Sequence, residues 1–351
     1  MRFRQRNAHV GHRISLNRSP DYDVVILAGM EYETVEIRSR GGAKATICPG
    51  KGFNCIGLEF RVAGEQIQVL HAESDVLGDG SPTRSGMPVL FPFPNRIAGA
   101  NFDWDGDTYE IPVTHPGDTN AIHGLVCRAA WTDWERTISE DAVTGRFRLS
   151  SDASDGVLHW PGDLELRLTY TITDDALTIS SEVVNPEEKP VPFGMGFHPY
   201  FAPLGAGTGP EAVAACHVQC DATAYWVLED SIPTGEKRPV AGKRDLRRNP
   251  SVGDRELDDI LTDLPAFVGG RSGLMPRATL TGGAVTLSLN CDESWRDVVV
   301  FTPPNRESIA IEPYTCPTDA VHLTEQGENV GWQVLGPGGS WVGTVQLRVS
   351  A

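Results

Sequence analysis

The chain of 351 residues lacks an apolar run long enough to span a bilayer, so no membrane-spanning helix is expected. Its first eighteen residues carry basic side chains but lack the apolar centre of a secretory signal. A cytoplasmic protein is therefore expected. Paired cysteines are also missing: seven cysteines, an odd number, lie scattered without tight spacing. Free thiols in a reducing compartment fit that better than a disulfide framework. The one grouping that suggests a metal, Cys216, His217 and Cys220, lacks a second ligand pair, so loosely placed thiols on a strand or loop are expected there. Positive charge is in short supply, with 30 Lys and Arg against 47 Asp and Glu and a net charge of -17. Such a surface repels phosphate backbones and anionic headgroups, which argues against nucleic acid and membrane as partners.

Long stretches with helical apolar spacing are absent as well. Only Leu257, Ile260, Leu261 and Leu264 fall at such spacing, and they predict one short helix. No fixed repeat, low-complexity tract or linker divides the chain. The expectation is a single domain over residues 21–351, preceded by a loose segment at 1–20.

What is present points to β structure. Hydrophobic residues at 40% and charged residues at 22% are enough to build a buried core on a soluble surface. The 37 glycines and 25 prolines are spread between short apolar runs, as in a chain with many turns. Leu164, Leu166, Leu168, Tyr170 and Ile172 alternate with polar residues, Asp174 and Asp175 supply turn chemistry, and Leu177, Ile179, Ser181 and Val183 resume the alternation. That period of two predicts a hairpin of half-buried strands. Further strands are predicted at Val285 to Leu289 and Val345 to Val349, and the continuous run Val298 to Phe301 predicts a strand buried on both faces.

Four segments concentrate polar, aromatic and proline residues. Between Gly86 and Ile97, three prolines bracket aromatic residues before Asn95 and Arg96. Proline fixes the backbone and removes donors, so this is a rigid rim that aims Arg96, whose guanidinium can donate a fork of hydrogen bonds to a ligand or join a surface ion pair. In Asn120 to Gly124, a glycine after His123 allows close approach of backbone or ligand, and the histidine is open to either a structural or a binding role. In Pro192 to Phe201, Pro199 biases His198 to an extended backbone among aromatics. An imidazole held that way suits general acid work, while a core histidine bonded to a carbonyl fits the same residues. In Ser308 to Tyr314, Glu312 ends an apolar run and precedes a proline. If that strand is interior, burial raises the carboxyl's pKa and makes it a better proton acceptor; at an edge it would simply be solvated.

Taken in order, the Asn95-Arg96 pair, His123-Gly124, His198-Pro199-Tyr200-Phe201, Leu257-Asp258 and Glu312-Pro313 resemble the aldose 1-epimerase, or galactose mutarotase, family. The likeness runs from about Gly86 through Ala320. It implies an all-β fold, a large antiparallel β-sandwich of the supersandwich kind with few short helices. It also implies an isomerase with a concave sugar cleft, needing neither metal nor cofactor, whose partner is a small sugar. Carried over by position, the family's general base falls on Glu312 and its general acid on His198. Substrate-binding roles fall on Asn95, Arg96, His123 and Asp258, with neighbouring Asp259 as the alternative to the last. The strand Val298 to Phe301 lacks the glutamine frequent in galactose-handling relatives, which leaves the preferred sugar open, and residues 208–255 match no part of the pattern.

The implied reaction removes a proton from the anomeric hydroxyl through Glu312 while His198, charged at the start, protonates the ring oxygen. A hexose-6-phosphate 1-epimerase and a non-catalytic carbohydrate-binding sandwich are the competing readings. The acidic surface disfavours the first unless a local cluster of Arg overrides it, and the presence of both Glu312 and His198 argues against the second. A glycoside hydrolase would need two carboxylates flanking one bond, for which Glu312 and Asp258 are the available pair.

Overall fold

A computed structural model describes residues 32–351 apart from residues 79, 115–116, 138–140, 152–158, 206 and 267–272; the segment 1–20 lies outside the described residues. Among the described residues, two eight-stranded antiparallel sheets carry the architecture, with a four-stranded sheet from Val35 to Gln68 beside them. The predicted hairpin forms as Leu164–Ile172 and Ala176–Val184, joined in register from Glu165 opposite Val184 to Ile172 opposite Leu177. It sits inside the first large sheet, where Ser340–Ser350 pairs with its second strand and Val285–Cys291 follows. The alternation exists because one face of this sheet is buried: Leu164, Leu166, Leu168, Tyr170 and Ile172 all lie in the main core.

The second large sheet has apolar residues on both faces. Its centre is Asp258–Thr262, Asp297–Phe301 and Ile309–Tyr314, side by side. Val298, Val300, Ile309 and Ile311 join the main core with the hairpin residues. Ile260, Val299 and Tyr314 point the other way, into a smaller cluster with Leu323 of the helix Ala320–Glu325. Burial on both faces is the reason the run Val298 to Phe301 has no polar alternation.

The helix predicted at Leu257 to Leu264 is corrected to the strand Asp258–Thr262. Leu257 and Leu261 turn to the main core while Ile260 turns to the smaller cluster, so a strand covered on both sides reproduces the spacing of a helix. The described α-helices, Pro210–Ala215 and Ala320–Glu325, are six residues each, and no described helix is long and apolar enough to cross a membrane. All seven cysteines are free and buried. Cys216 and Cys220 point inward, whereas the exposed His217 sets its Nδ1 2.9 Å from the Asn249 carbonyl.

Candidate active site

Glu312 lies on Ile309–Tyr314, an interior strand whose six residues are all buried. On one side Val299 pairs with it. On the other, Gly196 pairs with Tyr314 and Tyr200 pairs with Ala310, which leaves His198 level with Glu312. Pro199 has no N–H to donate, so the ladder breaks there, and the His198 N–H is satisfied instead by the Pro88 carbonyl at 3.0 Å. The break sets the imidazole beside the carboxylate: His198 Nε2 lies 3.4 Å from Glu312 Oε1, with the two residues 5% and 2% exposed.

The remaining groups close around this pair. The Tyr200 ring stacks on His198 at 4.4 Å and 12°. Its hydroxyl donates to the Thr83 carbonyl and lies 3.2 Å from His198 Nε2. Because the rings are nearly parallel, that hydroxyl sits over the imidazole face and the contact is mainly stacking. His123 meets His198 edge-on, with ring centroids 5.3 Å apart at 78°. It adopts φ 65°, and Gly124 after it φ 70°; a Cβ on Gly124 would stand 2.3 Å from the Phe91 carbonyl oxygen, so the close approach expected of that glycine is to backbone.

Asn95, at φ 53°, accepts the His123 N–H on its carbonyl at 2.6 Å and accepts Arg96 Nη1 on its side-chain oxygen at 2.9 Å. The Arg96 strand is tied from behind by Asp319, whose N–H donates to the Arg96 carbonyl at 2.8 Å and whose Oδ1 accepts the Ala98 N–H at 2.9 Å. Asp258 opens its strand opposite Phe301, on the same face as Glu312. Asp259 faces the other way, where Arg244 pairs with it at 2.5 Å. The fold thus brings Glu312, His198, Asn95, Arg96, His123 and Asp258 into one place and separates Asp258 from the alternative, Asp259.

Electrostatics follow from burial. Loss of water pushes Glu312 well above the usual carboxylate range; Asp258 adds to that, and the Tyr314 hydroxyl and Arg96 oppose it. Loss of water also pushes His198 down to about 3. The expected charged imidazole is therefore not the form the unliganded site favours, because a buried cation costs more than a buried neutral ring. Solvent reaches Asp258, yet the surrounding walls desolvate it enough to raise its pKa, against the pull of Arg96.

Sequence reasoning missed several neighbours. Tyr314 donates to Glu312 Oε2 at 2.5 Å, and Phe301 sets its ring perpendicular to His198 at 6.5 Å. The available signal was the period of two: Tyr314 is two residues after Glu312 on one strand and must share its face. The unmatched segment 208–255 contributes the edge strand Ile232–Pro239 and its neighbour Ala224–Glu229, the Asp259 partner Arg244, and Trp226 in the smaller cluster. Among the described residues no three His, Cys, Asp or Glu gather closely enough to hold a metal ion.

Comparison with known proteins bears on this geometry. The profile described as aldose 1-epimerase matches residues 60–348. A maltose epimerase from Levilactobacillus brevis is 28% identical over 260 residues, 67% of this chain and 72% of that protein. A galactose mutarotase from Mus musculus is 31% identical over 166 residues, 47% of this chain and 46% of the other. The chain spans about half the length of several of the curated relatives it matches. A galactose mutarotase-like protein from Clostridium acetobutylicum superposes with a TM-score of 0.77 at 21% identity, covering 91% of this chain and 96% of that one, which shows the shared fold.

Proposed function

The chain belongs to the aldose 1-epimerase family, and on that footing we propose that it interconverts the α and β anomers of a free aldose by opening and reclosing the pyranose ring. The observation that carries the reading is the opposition of one carboxyl and one imidazole, 3.4 Å apart and nearly sealed from water, inside a ring of hydrogen-bonding groups. Ring opening needs a proton removed from the C1 hydroxyl and another added to the ring oxygen. Glu312 takes the first and His198 delivers the second. Rotation about the C1–C2 bond then presents the other face of the aldehyde, and the two groups return their protons in reverse. Each positioned transfer is typically worth about 10² to 10⁴ in rate.

The pair holds one proton in all. Burial favours that proton on Glu312 over His198 in the free protein, and the reactive form is the charged tautomer with the proton on the imidazole. Moving it from one partner to the other exchanges nothing with bulk water. Sugar hydroxyls entering the cleft, together with the Arg96 guanidinium that already favours the carboxylate, supply the polar contacts that a charged pair needs. Arg96, His123, Asn95 and Asp258 hold the hydroxyls so that the reacting atoms stay aligned through the rotation.

The test is polarimetry or NMR on freshly dissolved pure anomers. Glucose, galactose, maltose and glucose 6-phosphate form the panel, with maltose included because one relative bears the name maltose epimerase. Acceleration of a neutral sugar, lost by a factor of 10² or more in Glu312→Gln, is the expected outcome. Full activity in that variant removes Glu312 from the mechanism, acceleration confined to the phosphorylated sugar moves the substrate class, and no acceleration of any anomer leaves a binding protein.

A further inference from the structure

The arrangement around Glu312 treats its two oxygens differently. Oε1 is on the His198 side, at 3.4 Å. Oε2 accepts the Tyr314 hydroxyl at 2.5 Å, wholly out of solvent. We propose that Tyr314 is a positioning residue of this site: its hydroxyl occupies Glu312 Oε2 and so leaves Oε1, beside the imidazole, as the oxygen that exchanges a proton with the sugar. The assignment rests on the anomerase reading for its chemistry, although the hydrogen bond itself does not.

Three independent features hold the phenol in place. The first is the strand, which sets residues 312 and 314 on one face of a fully buried segment. The second is Gly196, the cross-strand partner of Tyr314: a Cβ there would stand 2.6 Å from the ring's Cδ1, so the missing side chain makes the space in which the ring lies. The third is Asn95. A guanidinium can only donate, so Arg96 Nη1 claims the Asn95 amide oxygen at 2.9 Å. That leaves the amide nitrogen as the end of Asn95 that opposes the rise in the Tyr314 pKa. A phenol has a single hydrogen, and it goes to Glu312 Oε2.

Tyr314→Phe keeps the ring and removes the donor. An ionised carboxylate that loses a donor is destabilised relative to its protonated form, so the Glu312 pKa moves further up, the charged tautomer becomes rarer, and the alkaline limb of the pH–rate profile, where the pair gives up its one proton, moves to higher pH. At neutral pH kcat falls on the order of tenfold or more, the loss expected for a charge-assisted hydrogen bond; KM changes little, and the deficit relative to wild type narrows as the pH is raised through the alkaline limb. Gly196→Ala, which pushes the ring aside, moves the limb in the same direction. In parallel, 13C NMR of labelled glutamate, with Glu312 assigned through Glu312→Gln, follows the carboxyl directly and needs no turnover; it would decide the matter even if the protein accelerated no anomer. An equal loss at every pH with an unmoved Glu312 titration would overturn the proposal and leave Tyr314 as packing alone. Should both variants fail to fold, the wild-type protein still answers: the Tyr314 hydroxyl proton is expected far downfield and coupled to Glu312 titration, and an ordinary hydroxyl resonance that ignores Glu312 overturns the assignment.

Discussion

At the scale of residues, the site is a set of opposed influences on one carboxyl. Burial and the like charge of Asp258 raise the Glu312 pKa, while Tyr314 and Arg96 lower it. Removing Asp258 should therefore act opposite to removing the Tyr314 hydroxyl. Asp258→Asn takes away a neighbouring negative charge, favours ionised Glu312 and moves the alkaline limb to lower pH. Because that residue also meets the sugar in the proposed mechanism, KM rises severalfold at the same time, as expected for the loss of one polar contact. Steady-state kinetics followed through the alkaline limb check both effects, and a limb that shifts upward would contradict the assigned sign.

At the scale of elements, the short strand that carries Arg96 owes its position to a clamp far away in sequence. Asp319 precedes the helix Ala320–Glu325 and offers Oδ1 both to the Ala98 N–H and to His322 Nδ1, the latter at 2.7 Å. That partner raises the His322 pKa, so the contact gains strength as the histidine is protonated. Asp319→Ala removes the acceptor from a half-buried N–H and should cost about 1 kcal/mol of stability. It should also raise KM more than it lowers kcat, because Arg96 loses its anchor while the Glu312–His198 pair is untouched. Chemical denaturation together with Michaelis kinetics separates the two consequences. An unchanged KM would show that the Arg96 strand holds itself.

At the scale of the whole molecule, a sheet covered on both faces buries some of its polar side chains between apolar layers. Asp297 shows the consequence. It is buried beside Trp226, whose Nε1 lies 3.2 Å away, and loss of water pushes its pKa to about 6 despite hydrogen bonds from Thr262 and Trp226. A carboxyl raised in the folded state contributes stability that is complete below its unfolded pKa near 4 and is lost as the pH climbs through 6. The shift corresponds to about 3 kcal/mol between those limits. Asp297→Asn should therefore melt with a smaller drop from pH 4 to pH 7 than the wild-type chain, as calorimetry would read it. Identical pH slopes would mean that Asp297 is hydrated or paired in solution.

The sequence by itself determined the strands whose environment is simple. The hairpin Leu164 to Val183 could be read off because one face is buried and the other wet, so the side chains alternate. It also determined where rigid backbone and titratable groups coincide, since proline acts on its immediate neighbours, as Pro199 does on His198 and Pro313 does after Glu312. Only the tertiary structure decided what depends on partners distant along the chain. Leu257 to Leu264 reads as a helix until the sheet covers it on both sides. The motif favours Asp258 and leaves Asp259 as the alternative, and pleating sets the first on the face of Glu312 and turns the second to Arg244. The protonation preferred by Glu312 and His198 is set by how completely water is excluded from between them, which no local pattern of residues encodes.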